Sequence, residues 1–367
     1  MNTHHTQDKM LQRRTFKISD VVNNILDSFS ADIWTSTTTT FLDPAIGGGQ
    51  FVKEIERRLR KAGHSNENIK SRVFGFDSSN LRLRAAVGRN KLVGTYEVKN
   101  LIDNEVLMDF DVVVGNPPFN NADKKTTGGT GGNSTLYRTF RKKALSVLKP
   151  GGILAFVSPK AIIKDLIKDD NQVDVINLMT EYDEWKYNTL YFVERNKTLK
   201  TSEMKIEGGI AAKMFAVNEW AYREFGPTEH KIGTGSVETV IRLPKVSNNF
   251  TVETAMMGNY AAPAAPRFCF TLLESKKSYT VTDMPYAGSM TGCVTLDTMA
   301  EAEALKLLIE NNKAVRYFYR KMKLKGVAKD CTRFLKRIDL SQIKTGFEYP
   351  TEWNLTDEEI TIIETNV

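Results

Sequence analysis

Apolar positions fall into two rhythms along the first half of the chain. Short runs rich in β-branched and aromatic residues alternate with stretches whose apolar residues recur at helical spacing. Residues 15–31, with Val21, Val22, Ile25 and Leu26 on one side, predict a helix capped at Ser19 or Asp20. The run Thr37–Thr40, closing on Phe41-Leu42-Asp43, predicts a first strand, then a glycine loop and an amphipathic helix from Phe51 to Ala62. Val73–Asp77 predicts a second strand, with a helix after it through Asn90. Tyr96–Leu101 predicts a third strand and Phe110–Gly115 a fourth. Tyr137–Leu148 reads as a helix stopped by Lys149-Pro150-Gly151-Gly152, and Ile153–Val157, Val173–Met179 and Leu190–Val193 supply three further strands. Strands alternating with helices predict βαβ units and a mostly parallel α/β sheet. Beyond residue 197 the alternation fades, which divides the chain into a basic, disordered start over 1–14, one domain over 15–197 and a second over 198–367.

Composition narrows the partners. The 367 residues carry a net charge of +7, a weak pointer to a polyanion, since the same balance can simply keep a protein soluble. No apolar run approaches a membrane span and the first fourteen residues lack an apolar signal core, so no membrane partner is expected. Cys269, Cys293 and Cys331 are widely spaced without a CxxC pair, which argues for a reducing compartment and against a disulfide or zinc framework. With four histidines, two of them near the start, no metal site is expected.

Two motifs carry chemistry. Asp43-Pro44-Ala45-Ile46-Gly47-Gly48-Gly49 is a glycine turn between a strand and a helix, where a ligand can lie against the backbone and meet free N–H groups. Many such clusters are plain turns, and the spacing is not the dinucleotide GxGxxG pattern. Asp43 would repel a pyrophosphate but suit a cationic ligand such as S-adenosylmethionine. Asp77, at the end of the next strand, can accept both hydroxyls of a ribose. The second motif, Asn116-Pro117-Pro118-Phe119, follows the fourth strand directly, where open α/β sheets place their ligands. An amide held between a glycine and two prolines is a rigid donor and acceptor, suited to chemistry on an exocyclic amino group.

Together these residues resemble the amino-group DNA methyltransferases that make N6-methyladenine, in the γ order of cofactor loop, Asn-Pro-Pro-Phe and extra domain. They are similar above all to the adenine methylases of bacterial restriction-modification systems. The resemblance covers about residues 15–195 and, more loosely, 334–340 and 353–364. It implies a Rossmann-like S-adenosylmethionine-dependent methyltransferase fold with a mostly parallel seven-stranded sheet, the catalytic domain being 15–197. A smaller C-terminal target-recognition domain follows over 198–367. S-adenosylmethionine is the implied cofactor, held by Asp43, Ala45, Gly47, Gly49, Asp77 and Asn116. Asn100 stands where the family has an Asp against the cofactor's adenine, with Asp103 three residues on. Thr15–Ile25 matches the family's N-terminal motif poorly.

The implied mechanism places the Asn116 side-chain oxygen and the Pro117 carbonyl as acceptors on the target amino group, with Phe119 against one face of a flipped base. Trp185 is the first choice for the other face, with Tyr187 or Tyr182 as alternates; each would also serve as an ordinary core or rim residue. No cysteine lies near the motif, which argues against a C5-cytosine mechanism. From Lys313 to Arg337 ten Lys or Arg stand against the single acid Asp330. Arg316, Arg320 and Lys323 fall on one helix side, able to grip phosphates, although a solvated face with its aromatics turned inward fits as well. Lys124 and Lys125, in the glycine-rich stretch Asn120–Ser134, are a second DNA-binding candidate, there to close over the flipped nucleotide. The acidic last twenty residues are expected to pack or shield. The expected partners are double-stranded DNA and a cognate restriction endonuclease, in the cytoplasm of a bacterium or phage-infected host. Three readings stay open: a methyltransferase on DNA adenine, one on RNA bases or protein glutamine, and a non-catalytic cofactor-binding subunit.

Overall fold

The computed structural model describes residues 18–119, 136–168, 172–179, 189–196, 204–215, 231–232, 253–255, 259–262, 264–271, 279–284, 286–288, 291–322 and 335–366. The chain divides into two compact units, one made by the chain up to Ile162 with Asp170–Lys205, the other by Ile163–Asp169 with Ile206–Val367. Among the described residues no helix is long and apolar enough to cross a membrane.

The first unit opens with α1 (Ile18–Asp27) and α2 (Ala31–Thr35), then runs β1 (Phe41–Asp43), α3 (Gln50–Lys61), α4 (Asn66–Lys70), β2 (Val73–Asp77), α5 (Asn80–Asn90), β3 (Thr95–Val98) and β4 (Phe110–Gly115). After α6 (Leu136–Ser146) and β5 (Leu148–Pro159), the helix α7 (Ile163–Lys168) belongs to the second unit, and β6 (Gln172–Asn177) and β7 (Thr189–Arg195) return to the first. The strand order is β3-β2-β1-β4-β5-β7-β6, and a short β8 (Lys205–Glu207) where the unit ends extends the β6 edge. Neighbours from β3 to β5 are parallel, whereas β7 runs antiparallel to both β5 and β6. This is the doubly wound order with a reversed strand inserted before the last, and the winding reverses between β1 and β4.

Both faces of the sheet are covered, as a parallel sheet requires. Val21, Val22, Ile25 and Leu26 of α1 and Phe51, Val52, Ile55 and Leu59 of α3 form one core with Val112, Val114, Ile153, Ala155 and Val157 of the sheet. Full burial of each such Leu or Ile is worth about 1.5–3 kcal/mol. The alternate positions Leu42, Val113, Leu154 and Phe156 are buried on the other side, and α6 packs against β5.

Three local expectations are corrected. Thr37–Thr40 is not strand: the N–H groups of Thr38 and Thr39 donate to Ser36 Oγ (3.2 and 3.1 Å) and that of Thr40 to Asp111 Oδ2 (2.8 Å), so the run's donors are spent on side chains before β1 begins. The Lys149–Gly152 stop lies inside β5 as an irregularity, where pairing with β4 shifts from Phe110↔Leu148 to Val112↔Ile153. Gly151, at φ +76°, donates its N–H to the Asn196 carbonyl (2.8 Å), which ties the bulge to the end of β7. The N-terminal helix is two pieces, α1 and α2, and α4 was not expected at all.

The second unit holds α8 (Ile210–Lys213) and two antiparallel sheets. The smaller joins β9 (Lys231–Ile232), β11 (Asn259–Ala262) and β14 (Tyr286–Gly288). The larger, ordered β10-β15-β12-β13, joins β10 (Glu253–Ala255), β12 (Arg267–Thr271), β13 (Tyr279–Thr282) and β15 (Thr291–Thr295). The helices α9 (Met299–Asn311), α10 (Lys313–Met322) and α11 (Asp357–Asn366) follow. Thr298 and Glu301 start α9 with a reciprocal cap, each side chain accepting from the other's N–H at 3.1 Å.

Candidate functional site

The glycine loop leaves β1 at the point where the sheet's winding reverses. Asp43 ends β1, which pairs with β2 through Asp43↔Gly75 and with β4 through Leu42↔Val113. Ile46 pins the loop to β2: its N–H donates to the Phe76 carbonyl (2.9 Å) and its side chain covers Gly75, where a Cβ would meet Ile46 Cδ1 at 2.5 Å. Gly47 and Gly49 take φ of +55° and +82°, a region costly for other residues, and Gly49 stands as the N-cap of α3. From α5, Asn90 Nδ2 donates to the Gly48 carbonyl at 3.0 Å.

Two carboxylates face this loop. Asp43 is 1% exposed, and its Oδ1 accepts from the Ala45 N–H at 3.0 Å. Burial, opposed by that hydrogen bond and reinforced by the charge of Asp77, pushes its pKa up to about 7. Asp77, 5% exposed at the end of β2, accepts from Gly47 N–H (3.1 Å), Ser79 N–H (2.8 Å) and the Arg82 guanidinium (3.0 and 3.2 Å). Among the described residues, one acid thus sits desolvated without a cation, and the other holds the loop, the start of α5 and an arginine together.

Asn116 is the first residue beyond β4. It is exposed, and its side chain makes no hydrogen bond among the described residues. Pro117 is buried, Pro118 exposed, and Phe119 half-buried against the core shared by α1, α3 and the sheet. Gly115, just before, is where β4 and the β1 acid meet: a Cβ there would lie 2.8 Å from Asp43 Oδ1. The amide and the buried acid therefore occupy the ends of two adjacent parallel strands, across the switch point where ligands bind such sheets.

Asn100, just past β3, has a locally committed side chain. Its Oδ1 accepts from Ile102 N–H (3.1 Å) and its Nδ2 donates to Asp103, so the two alternatives for the adenine contact are bonded to each other. Lys99 Nζ lies 5.2 Å from the centre of the Phe76 ring.

The expected DNA contacts lie elsewhere in the chain. In α10, Tyr317 and Phe318 are buried and Arg316 and Arg320 exposed. The charges have partners: Arg316 donates to the Glu310 carbonyl (2.7 Å), Arg320 to the Asn366 carbonyl (2.7 Å), and Lys313 pairs with Glu364. Trp185, Tyr187 and Tyr182, Lys124 and Lys125, and Lys323 lie outside the described residues. Ser79, Arg82 and Asn90 were not anticipated. A serine two residues after the strand-end acid was a readable helix cap; Arg82 and Asn90 left no such signal.

The donor set fits S-adenosylmethionine. A buried carboxylate with no counter-charge among the described residues suits a sulfonium and ammonium ligand, and the loop at Gly47–Gly49 leaves the backbone open to it. No curated protein matches the chain in sequence. Three solved structures illustrate its structural likenesses. A class I S-adenosylmethionine-dependent methyltransferase from Listeria monocytogenes is 17% identical, with a TM-score of 0.39 over 52% of this chain and 63% of that one. The M protein of the type I restriction enzyme EcoKI is 18% identical, with a TM-score of 0.40 over 52% and 45%. A modification subunit of a type I restriction enzyme from Vibrio vulnificus is 15% identical, with a TM-score of 0.37 over 53% and 46%. The chain spans less than two thirds of each, and the fold rests on its own strand order. Residues 53–183, which run from α3 through β4 and the Asn116 tetrapeptide, match the family model of the Eco57I restriction-modification methylases.

Proposed function

We propose that the chain is a site-specific DNA adenine N6-methyltransferase. The observation that carries the reading is the placement of the Asn116 amide, which makes no hydrogen bond among the described residues, one residue beyond Gly115, where an added Cβ would meet the buried Asp43. Acceptor and cation site are thereby held on neighbouring strand ends, as a transfer between two bound molecules requires.

The lone pair of an adenine amino nitrogen is delocalised into the ring, so that nitrogen is a weak nucleophile. Asn116 Oδ1 and the Pro117 carbonyl each accept one amino hydrogen, which draws the nitrogen toward a tetrahedral shape and frees the lone pair. Positive charge develops on the nitrogen as the new N–C bond forms, and the same two oxygens stabilise it before the extra proton leaves to water. S-adenosylmethionine, when bound, supplies the electrophilic methyl group. Asp43 balances the cation's charge, and Asp77 accepts from the ribose hydroxyls. A duplex base reaches such a place only when flipped out, with Phe119 against one face and Trp185, Tyr187 or Tyr182 against the other. Arg316, Arg320, Lys323, Lys124 and Lys125 are the proposed phosphate contacts, and a restriction endonuclease is the proposed functional partner.

Incubation of the protein with tritiated S-adenosylmethionine and separate DNA, RNA and protein pools tests the reading. Label is expected in DNA alone, and sequencing of methylated positions after expression in a methylation-free host should give one adenine in a fixed sequence context. Label confined to RNA or protein, or methylation on cytosine, overturns it.

A further inference from the structure

The larger sheet of the second unit sets two cysteines face to face. Cys269 of β12 and Cys293 of β15 are direct partners in the antiparallel register, on the two central strands of the order β10-β15-β12-β13. Each is 1% exposed, and their sulfur atoms are 2.7 Å apart. No disulfide joins them. Directly opposed residues of an antiparallel pair have Cα atoms about 4.5–5.5 Å apart, inside the roughly 4.4–6.8 Å that a disulfide spans. The bond therefore needs no backbone movement beyond what the register already provides. The 24-residue separation of the two positions hid the pair from a reading of sequence spacing alone.

We propose that Cys269 and Cys293 are a redox modification site, which a small hydroperoxide closes into a cross-strand disulfide clamping the centre of this sheet. One peroxide oxygen first bonds to one thiolate, giving a sulfenic acid as the O–O bond breaks, and the other oxygen takes a proton and leaves as water or an alcohol. The second thiolate then attacks the sulfenic sulfur; the S–S bond forms, the S–O bond breaks, and the departing hydroxide takes a proton to become water. Two thiols lose two electrons and two protons, and the peroxide is reduced by the same two electrons. Burial makes the first step wait on local opening of the strands, and it protects the finished bond from external thiols. The bond encloses β13 and β14 in a covalent loop, so its main effect is to restrict the unfolded chain.

The test uses the full chain. Wild type and Cys331→Ser are exposed to hydrogen peroxide, remaining thiols are alkylated under denaturing conditions, and unreduced tryptic peptides are analysed by mass spectrometry. Both proteins should yield one peptide pair joined through Cys269 and Cys293, lighter by two hydrogens than its parts. The thermal midpoint of the second unit should rise by about 5 °C or more and return after dithiothreitol. Full alkylation of both residues, sulfinic acid on either one, or a link to Cys331 in the wild type overturns the proposal. So does a Cys269–Cys293 bond that leaves the midpoint unchanged or lowers it. Because the wild-type protein carries the decisive readout, the test does not depend on any variant's folding.

Discussion

The strand-end site of the first unit and the basic helix of the second use polar groups in opposite ways. At the strand ends, among the described residues, Asn116 makes no side-chain hydrogen bond and Asp43 is a buried acid with no cation beside it, so both have capacity left for a ligand. On α10, Arg316 and Arg320 already donate to main-chain carbonyls and Lys313 to Glu364. A cluster of charge in a sequence is thus a poor guide to free charge in a fold. Arginine and lysine find carbonyl ends and acids within their own unit, whereas an amide between glycine and proline has few partners within reach. The strand-end groups should accordingly respond to ligand and pH, and the helix to salt.

The sharpest way to break this contrast is Asn116→Ala. Removing one preorganised hydrogen-bonding group from a charge-developing centre costs about 10²–10³ in turnover. Methyl transfer to DNA, followed with tritiated cofactor, should fall by that factor, while cofactor affinity by calorimetry stays within about threefold. Unchanged transfer would mean that the unengaged amide is a surface feature and the acceptor lies elsewhere.

The second test uses Asp43. Its pKa of about 7 lies above the ordinary carboxylate value because burial disfavours the anion. A cationic ligand favours the anion, so cofactor affinity should be flat above pH 7 and fall by up to about tenfold per unit below it. Stability of the ligand-free protein runs the other way. The folded carboxyl keeps a proton that the unfolded chain releases, so this contribution is complete near pH 3.8 and is lost as pH rises to about 7. Asp43→Asn keeps the acceptor for Ala45 N–H. It should therefore raise the melting temperature at pH 8, leave it unchanged near pH 4, and remove the pH dependence of cofactor binding.

On the basic helix, Arg316→Gln and Arg320→Gln should each reduce the slope of log affinity for DNA against log salt by about one if these side chains also meet phosphates. An unchanged slope with a lowered melting temperature would make them staples of the helix ends and nothing more.

What was readable in the sequence follows the same division. Asp43, the glycine loop, Asp77 and Asn116 lie in short contiguous motifs whose backbone demands are local, so their positions at strand ends followed from the β-rich runs before them. In sequence the β5 irregularity reads as a helix stop, because Pro150 and the two glycines after it break local rules. Pairing with β4, the Asn196 bonds and the Lys149–Asp111 ion pair keep that stretch in the sheet. Thr37–Thr40 has strand propensity, and Ser36 and Asp111 override it by taking its N–H groups. Arg82 and the cysteine pair could not be read, since each depends on which residues a turn or a register sets opposite one another.

The smallest expected effect belongs to Arg82, and it bears on how ready the strand-end site is for its ligand. Arg82 is bonded to Asp77 Oδ1, the acid proposed for the ribose, yet its own side chain is 61% exposed. An ion pair with one partner so exposed is worth about 0.2–1 kcal/mol, which corresponds to at most about fivefold in an equilibrium constant. If the ribose hydroxyls must displace the guanidinium, Arg82→Ala should tighten cofactor binding within that range, because Ser79 and Gly47 still hold the carboxylate in place. Weaker binding in Arg82→Ala would instead mean that the guanidinium stays on Asp77 in the complex and orients it. Comparing adenosine with S-adenosylmethionine separates the cases: competition at the ribose changes both affinities alike, whereas any effect relayed to Asp43 changes only the cationic ligand.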